Sequence, residues 1–387
     1  MEEYVEWLML PHDLQIGFFE EAEKESINLA SRIEDISKVL RDATHLLKPF
    51  VKNLSDNEEL YVVSAVDGSR SPQLSERLGV RYGVFSVGIK IIKGLESKEE
   101  ILKAGVFKRK QAFSQDLSRH FFEVLVTYHE RKLALEALKK SDLVLIDGSF
   151  YGFLFHALRT KTPEESEALK KIVQETFKLS EELINSGKVI AIVKRSPSRA
   201  IGGYFAFINK RDNPYTTLLD KFILSFVMPR KTIFYYDDLL GTERHIIFYN
   251  SIASMIRRYD SMDTVIEKAH ENIMSPFRRF ELPEDALNIL ARAQVRAFDG
   301  VPTCEIEYPR HISKENLERW LAQPNFFNEG TGLPLVLDLV DNLISIPSRF
   351  TNEFVNEIEA RTLEKLGGSD PDILKLYFSY LNPQKPL

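Results

Sequence analysis

Two apolar runs in this chain end in the same three residues. Leu60-Tyr-Val-Val-Ser-Ala-Val66 stops at Asp67-Gly68-Ser69-Arg70, and Leu143-Val-Leu-Ile146 stops at Asp147-Gly148-Ser149. Short β-branched runs of this kind read as buried strands, and an Asp at a strand's carboxyl end lies where open α/β sheets place their chemistry. Carboxylates on neighbouring strand ends repel unless a cation lies between them, and Mg²⁺ and Mn²⁺ prefer hard oxygen donors. The pair points to a divalent-metal site used on phosphate, where the ion neutralises charge on the group under attack. The plainer reading of each Asp-Gly is a turn opener, with the Asp bonding to its own backbone. Between the two runs, Glu123 and Glu130 stand seven residues apart in a helical pattern and share a face, so either could point at the site. A third run, Val189 to Val193, leads into Lys194-Arg195-Ser196-Pro197-Ser198-Arg199. Cationic heads and hydroxyls at a strand end suit a phosphate-binding loop, and equally a solvated basic loop.

The elements that must position these residues alternate. Residues 1–55 carry Ile27, Leu29, Ile33, Ile36 and Leu40 at helical spacing. Strands are expected over Leu60 to Val66, Arg81 to Ile92, Leu143 to Ile146 and Val189 to Val193. Helices are expected over Ser114 to Lys140 and Pro163 to Ser186, with Gly187 as the stop. Alternation of this kind implies an α/β sheet covered on both faces. From 201 to 330 the pattern is mixed. Tyr204 to Ile208, Thr232 to Tyr236 and Ile246 to Tyr249 read as aromatic strands, and Pro283 to Phe298 as a helix. After Thr331-Gly332-Leu333-Pro334 come an apolar segment from Leu335 to Ile346, a polar helix from Asn352 to Leu366, and a loose tail from Leu381.

In order and approximate spacing, Ala65-Val-Asp67-Gly-Ser-Arg70, the Glu-bearing helix, Leu143-Val-Leu-Ile-Asp147-Gly-Ser149, Val193-Lys194-Arg-Ser-Pro-Ser-Arg199 and the late Gly332-Leu333-Pro334 resemble the NurA nucleases. The resemblance implies an α/β fold with an RNase H-like mixed sheet flanked by helices and carrying a large α+β insertion. With the pattern along the chain, the expected division is a helical region (1–55), a nuclease core (56–200), the insertion (201–330) and a helical segment completing the core (331–387). It further implies Mn²⁺-dependent hydrolysis of DNA, with Mg²⁺ as the alternative ion, by 5′–3′ exonuclease and single-strand endonuclease action in double-strand break end resection. The implied partners are DNA, a second copy of the chain and a HerA-type hexameric translocase ATPase. Carried over by position, Asp67 and Asp147 are metal ligands. Glu123 is the first choice for the helix carboxylate and Glu130 the second. Lys194 faces the scissile phosphate or the DNA backbone, and Arg70, Arg195, Ser198 and Arg199 join it in binding DNA. The family's late Tyr and His stand here as Leu333 and Asp341, and an Asp can replace a His as a ligand for a hard ion. The rival reading is a catalytically weakened subunit that binds DNA and docks on a motor ATPase.

Composition narrows the alternatives. The 387 residues are 44% hydrophobic and 28% charged, as in globular proteins. The formal charge is -6, from 51 basic against 57 acidic side chains, which argues against coating nucleic acid through bulk positive charge and leaves room for a basic groove on an acidic body. Cys304, the single cysteine, forbids an intramolecular disulfide and a thiolate zinc site, and suits a reducing compartment. No HxxxH or HExxH pair is present among the histidines, His120, His129 and His156 included, which argues against a histidine zinc site. The absence of GxxxxGK[ST] argues against ATP hydrolysis by this chain. GxSxG and GxGxxG are also missing, and neither Asp-Gly-Ser has the second Asp two residues on that an aspartyl-phosphate phosphatase uses. With no basic leader and no uncharged apolar run near the roughly 18 residues a membrane span needs, a cytoplasmic protein without membrane contact is expected.

Overall fold

The apolar runs assemble into one ten-stranded mixed sheet in a computed structural model that describes residues 10–109, 115–159, 166–366 and 371–381. In chain order the strands are β1 (Val51–Asn53), β2 (Val62–Arg70), β3 (Ser75–Glu76), β4 (Arg81–Lys93), β5 (Glu96–Arg109), β6 (Leu143–Asp147), β7 (Val189–Val193), β8 (Thr232–Tyr235), β9 (Leu290–Arg296) and β10 (Cys304–Pro309). Across the sheet they run β1-β8-β9-β10-β7-β6-β2-β4-β3, with β5 also paired to β4. β2, β6 and β7 are parallel neighbours, as strands joined through helices must be. The pairs β2–β4, β4–β5, β7–β10, β10–β9 and β9–β8 are antiparallel.

The helices are α1 (His12–Leu47), α2 (Gln115–Ala137), α3 (Phe153–Leu158), α4 (Ser166–Asn185), α5 (Ala200–Asn209), α6 (Asp220–Val227), α7 (Tyr236–Leu240), α8 (Ile246–Met255), α9 (Met262–Arg279), α10 (Lys314–Leu321), α11 (Leu335–Ile344), α12 (Phe350–Lys365) and α13 (Pro371–Phe378). Residues 1–49, which hold α1, form one unit, and residues 50–387 form the other. In the second unit, one sheet face buries Val63, Ala65, Leu143, Leu145, Ile190 and Ile192 against α10 and α11. Helix α2 packs on β2 and β4, with α4 against it.

Several local expectations give way to tertiary context. Tyr204 to Ile208 and Ile246 to Tyr249 are helical, in α5 and α8. These helices cross closely at Gly203, where a Cβ would lie 1.7 Å from the Tyr249 carbonyl oxygen, so packing overrides the aromatic preference for strands. The stretch read as a helix from Pro283 holds β9, whose Leu290 to Val295 are buried between β8 and β10. Strand β5 carries too much charge to read as a strand, and its mostly exposed residues suit its place beside β4 alone. Residues 201–330, expected as an insertion, supply β8, β9 and β10, so hydrogen bonding runs unbroken from them into β7. The first residues of the helices expected from Ser114 and Pro163, and the tail beyond Leu381, lie outside the described residues.

Candidate functional site

Strand register brings the expected chemistry together. Val66 of β2 pairs with Ile146 of β6, so Asp67 and Asp147 come next on adjacent parallel strands, and Asp147 in turn pairs with Ile192 of β7. Alternation puts Asp67 on the face of Val63 and Ala65, Asp147 on that of Leu143 and Leu145, and Lys194 on that of Ile190 and Ile192. Each polar residue is the point at which an apolar face runs out. Helix α11 lies over this face with Leu337, Val340 and Ile344 buried, and Asp341 stands at the margin of that stripe.

Lys194 is the hub. Its Nζ lies 3.3 Å from Asp67 Oδ2, 3.5 Å from Asp147 Oδ2 and 3.5 Å from Asp341 Oδ2. Side-chain exposure rises from 5% at Asp67 through 31% at Asp147 to 62% at Asp341, so the cluster opens toward solvent on the α11 side. Asp67 and Asp147 each accept the following glycine's N–H, at 2.7 and 3.0 Å, which fixes both carboxylates. Glu130 enters from α2. A Cβ on Gly68 would lie 2.3 Å from its Oε1, so the missing side chain at position 68 makes the space that Glu130 fills.

The charges are out of balance. Burial, then the charge of Asp147, holds the Asp67 carboxyl well above the usual carboxylate range against the pull of Lys194. Burial likewise raises Asp147 and pushes Glu130 up to about 7. Lys194 is raised, because the three aspartates outweigh the effect of its own burial. Converging buried carboxylates that share one lysine are a donor set short of positive charge, and a divalent ion with hard oxygen ligands fits that deficit.

A family model described as the NurA domain matches residues 61–346, the stretch from the start of β2 to just beyond α11. The chain belongs to the NurA family. Its fold is similar to that of the NurA nuclease from Sulfolobus solfataricus, at 14% identity over 89% of this chain and 97% of that one, with a TM-score of 0.53. A NurA bound to dAMP and manganese matches at 13% identity, over 92% of this chain and 99% of that one, with a TM-score of 0.49. An endonuclease V from Bacillus subtilis matches at 13% identity over 84% and 93%, with a TM-score of 0.33. No curated protein matches. The mixed sheet with flanking helices is thus the α/β fold of the NurA nuclease.

Within this NurA fold the remaining expected residues divide. Glu123 does not contact the aspartates. It pairs with Arg70, and its Oε2 lies 3.1 Å from His120 Nδ1 and 2.9 Å from His156 Nδ1. Burial works to raise Glu123, but His156, Arg70 and His120 outweigh it and hold the carboxyl down to about 2. Arg70 is correspondingly committed to Glu123. Ser198 is buried, and its hydroxyl donates to Asp220 at 2.7 Å, so it offers nothing to a DNA backbone. Arg199 donates to the Thr216 carbonyl at 3.3 Å and to Ser254 Oγ at 2.8 Å, tying α5 to α8. Arg195 is exposed beside Lys194. Asp338 accepts from Asn328 and Thr331, which fastens the loop before α11.

Arg131 escaped the sequence reading. It is buried, its Nη2 donates to the Ser149 carbonyl at 3.2 Å, and its Nη1 lies 3.8 Å from Glu130 Oε2. It therefore ties α2 to the second Asp-Gly-Ser. The available signal was a charge in line with the apolar stripe, four residues before Leu135 and seven before Leu138. Among the described residues no helix is long and apolar enough to cross a membrane.

Proposed function

We propose that this NurA-family chain is a divalent-metal-dependent DNA nuclease in which Asp67, Asp147 and Glu130 hold the ion, with Asp341 as the outer ligand. The observation that carries this is the convergence of Asp67, Asp147 and Asp341 on Lys194, beside the buried Glu130. Their all-oxygen donor set suits Mn²⁺ or Mg²⁺. When bound, such an ion supplies a Lewis acid and an activated water for attack on a phosphodiester. The Gly68 and Gly148 N–H groups keep the aspartates oriented. Arg131 holds Glu130 against the Ser149 loop. Lys194 is placed to meet a phosphate oxygen once its carboxylates turn to the cation, and the exposed Arg195 extends positive charge along the backbone.

From the family we take 5′–3′ exonuclease and single-strand endonuclease action in end resection, in a homodimer working with a HerA-type hexameric translocase. The acidic balance of the chain supports a division of labour. Neutralising phosphates and releasing counterions drives non-specific binding, and a charge of -6 gives this chain little of it. The motor should supply much of the grip.

Purified protein with Mn²⁺ and end-labelled linear DNA tests the reading. Cleavage is expected in the wild type and a loss of at least about 100-fold in Asp67→Ala, since even outer-shell changes at metal sites cost about 10–100-fold. DNA binding by the variant should persist. A wild type that binds DNA but stays inactive with every divalent ion tried would favour the weakened subunit.

A further inference from the structure

The second cluster on α2 has a different chemistry. His120 and Glu123 are one turn apart and share a helix face, and His156 reaches them from α3, 36 residues further along the chain than His120. No sequence spacing announces the trio, because the fold alone assembles it. We propose that His120, Glu123 and His156 form a second metal site, which takes one transition-metal dication of the zinc class. The proposal stands apart from the nuclease reading, since it uses none of the residues assigned there.

Three observations carry it. First, the geometry is near that of a metal shell. With bonds of about 2.0–2.1 Å to nitrogen and oxygen, neighbouring ligands of a tetrahedral zinc lie about 3.3 Å apart. Here the two Nδ1 atoms are 3.1 and 2.9 Å from the same Glu123 oxygen, and the three ligand atoms lie within 4.8 Å of one another. Second, the carboxylate is held for this task. Its other oxygen pairs with Arg70, and Arg119 Nε lies 3.8 Å from that oxygen, so Oε2 is left facing both rings. Outer partners of this kind fix the orientation of a ligand. Third, the site is reachable, because the His156 side chain is 49% exposed. Three protein ligands leave a fourth position for water or a phosphate oxygen.

The donor types separate the two sites. Two imidazoles and one carboxylate favour zinc, whereas the all-oxygen aspartate cluster favours a harder ion. Glu123 and Glu130 sit two turns apart on α2, about 10 Å along its axis, so the sites are neighbours that share no ligand. This accounts for two glutamates on one helix face that do different work.

The test is zinc and cobalt binding by the full, tag-free chain. The double variant Asp67→Asn/Asp147→Asn, which disables the aspartate cluster, removes that site's contribution. It is expected to bind one Zn²⁺ by calorimetry and to give the intense visible bands of tetrahedral Co²⁺ with nitrogen ligands. Adding His120→Ala or His156→Ala should weaken Zn²⁺ binding by roughly 100-fold or more, judged against the 10–100-fold lost with outer-shell partners. Absence of Zn²⁺ binding and of tetrahedral Co²⁺ bands in the double variant would overturn the proposal, and so would unchanged affinity in folded histidine variants. The cobalt spectrum needs no histidine substitution and decides the matter if those variants fail to fold. Failure of the nuclease reading would appear instead as wild-type protein inactive on DNA.

Discussion

Gly68 and Gly148 hold the same place in identical tripeptides for different reasons. Gly148 has φ +78°, a left-handed conformation in which a side chain is strained, and its surroundings are open. Gly68 lies within β2, and what it supplies is space, because a Cβ there would meet Glu130 Oε1 at 2.3 Å and Val126 Cγ1 at 2.6 Å. Gly68→Ala is therefore expected to cost about 1–3 kcal/mol by overpacking and to displace Glu130, lowering cleavage by roughly 10–100-fold. Adding Val126→Ala relieves only one of the two clashes, so stability should recover in part while cleavage stays low. Recovery of both in the double variant would mean that Glu130 takes no part. Asp341 is the other residue to probe. Its exposure permits substitution, and Asp341→Ala should weaken Mn²⁺ binding and cut cleavage by about tenfold or more, with Asp341→His retaining part of both. Isothermal titration and a cleavage assay check the pair, and unchanged values in Asp341→Ala would remove it from the ligand set. Asp67, Asp147 and Lys194 were legible in the sequence because each ends an apolar strand. The choice between Glu123 and Glu130 was not, since residues seven apart share a face. What separates them is a gap at Gly68 and two histidines, one of them supplied from α3.

At the scale of elements, the parallel trio β2, β6 and β7 and the antiparallel strands β4 and β8 could be read from their apolar or aromatic runs, whereas β5, β9 and β10 could not. Strand β9 reads Leu-Ala-Arg-Ala-Gln-Val-Arg, which suits a helix, and it becomes a strand because β8 and β10 bury it on both sides. Its Arg292 lies between two buried carboxylates of β10, donating to Glu305 Oε1 at 2.6 Å and to Glu307 Oε1 at 2.8 and 2.9 Å. Glu307 in turn accepts the Phe150 N–H at 2.7 Å, so the network reaches the loop after Asp147. Removing one partner of a buried ion pair leaves an uncompensated charge and costs about 3–5 kcal/mol. Arg292→Met should fall at or above that range, because two carboxylates lose their cation together. Denaturant unfolding measures it, and a loss below about 1 kcal/mol would show the network to be dispensable. Polar strand interiors such as this are invisible to hydropathy patterning, because the partners come from separate runs.

For the molecule as a whole, buried groups away from the metal cluster also make stability depend on pH, and two of them oppose each other. Asp220 is buried at the start of α6 and accepts from Ser198 Oγ and from the N–H groups of Ala200 and Ile201, yet burial prevails and pushes it up to about 6. A carboxyl raised above its unfolded value of 3.8 favours the folded state fully below that value and loses this contribution as pH climbs through about 6. His245 is buried at the start of α8, where its Nδ1 accepts the Ile247 N–H. Burial, then Arg292 and Arg310, hold it well below 6.5. Its contribution is complete above 6.5 and lost as pH falls below that value. Each group changes stability by about 1.4 kcal/mol per pH unit where one state is protonated and the other is not. Below about pH 6, for as long as His245 stays neutral in the folded state, the two slopes have opposite signs and nearly cancel. Asp220→Asn removes the rising limb, so its stability should fall by about 1.4 kcal/mol per unit more steeply than wild type on acidification from pH 6 to 4. His245→Gln should do the reverse and gain relative to wild type over the same interval. Urea unfolding at half-unit pH steps in chelator-treated protein reads both slopes. Parallel profiles for the wild type and both variants would show that neither group titrates differently on folding.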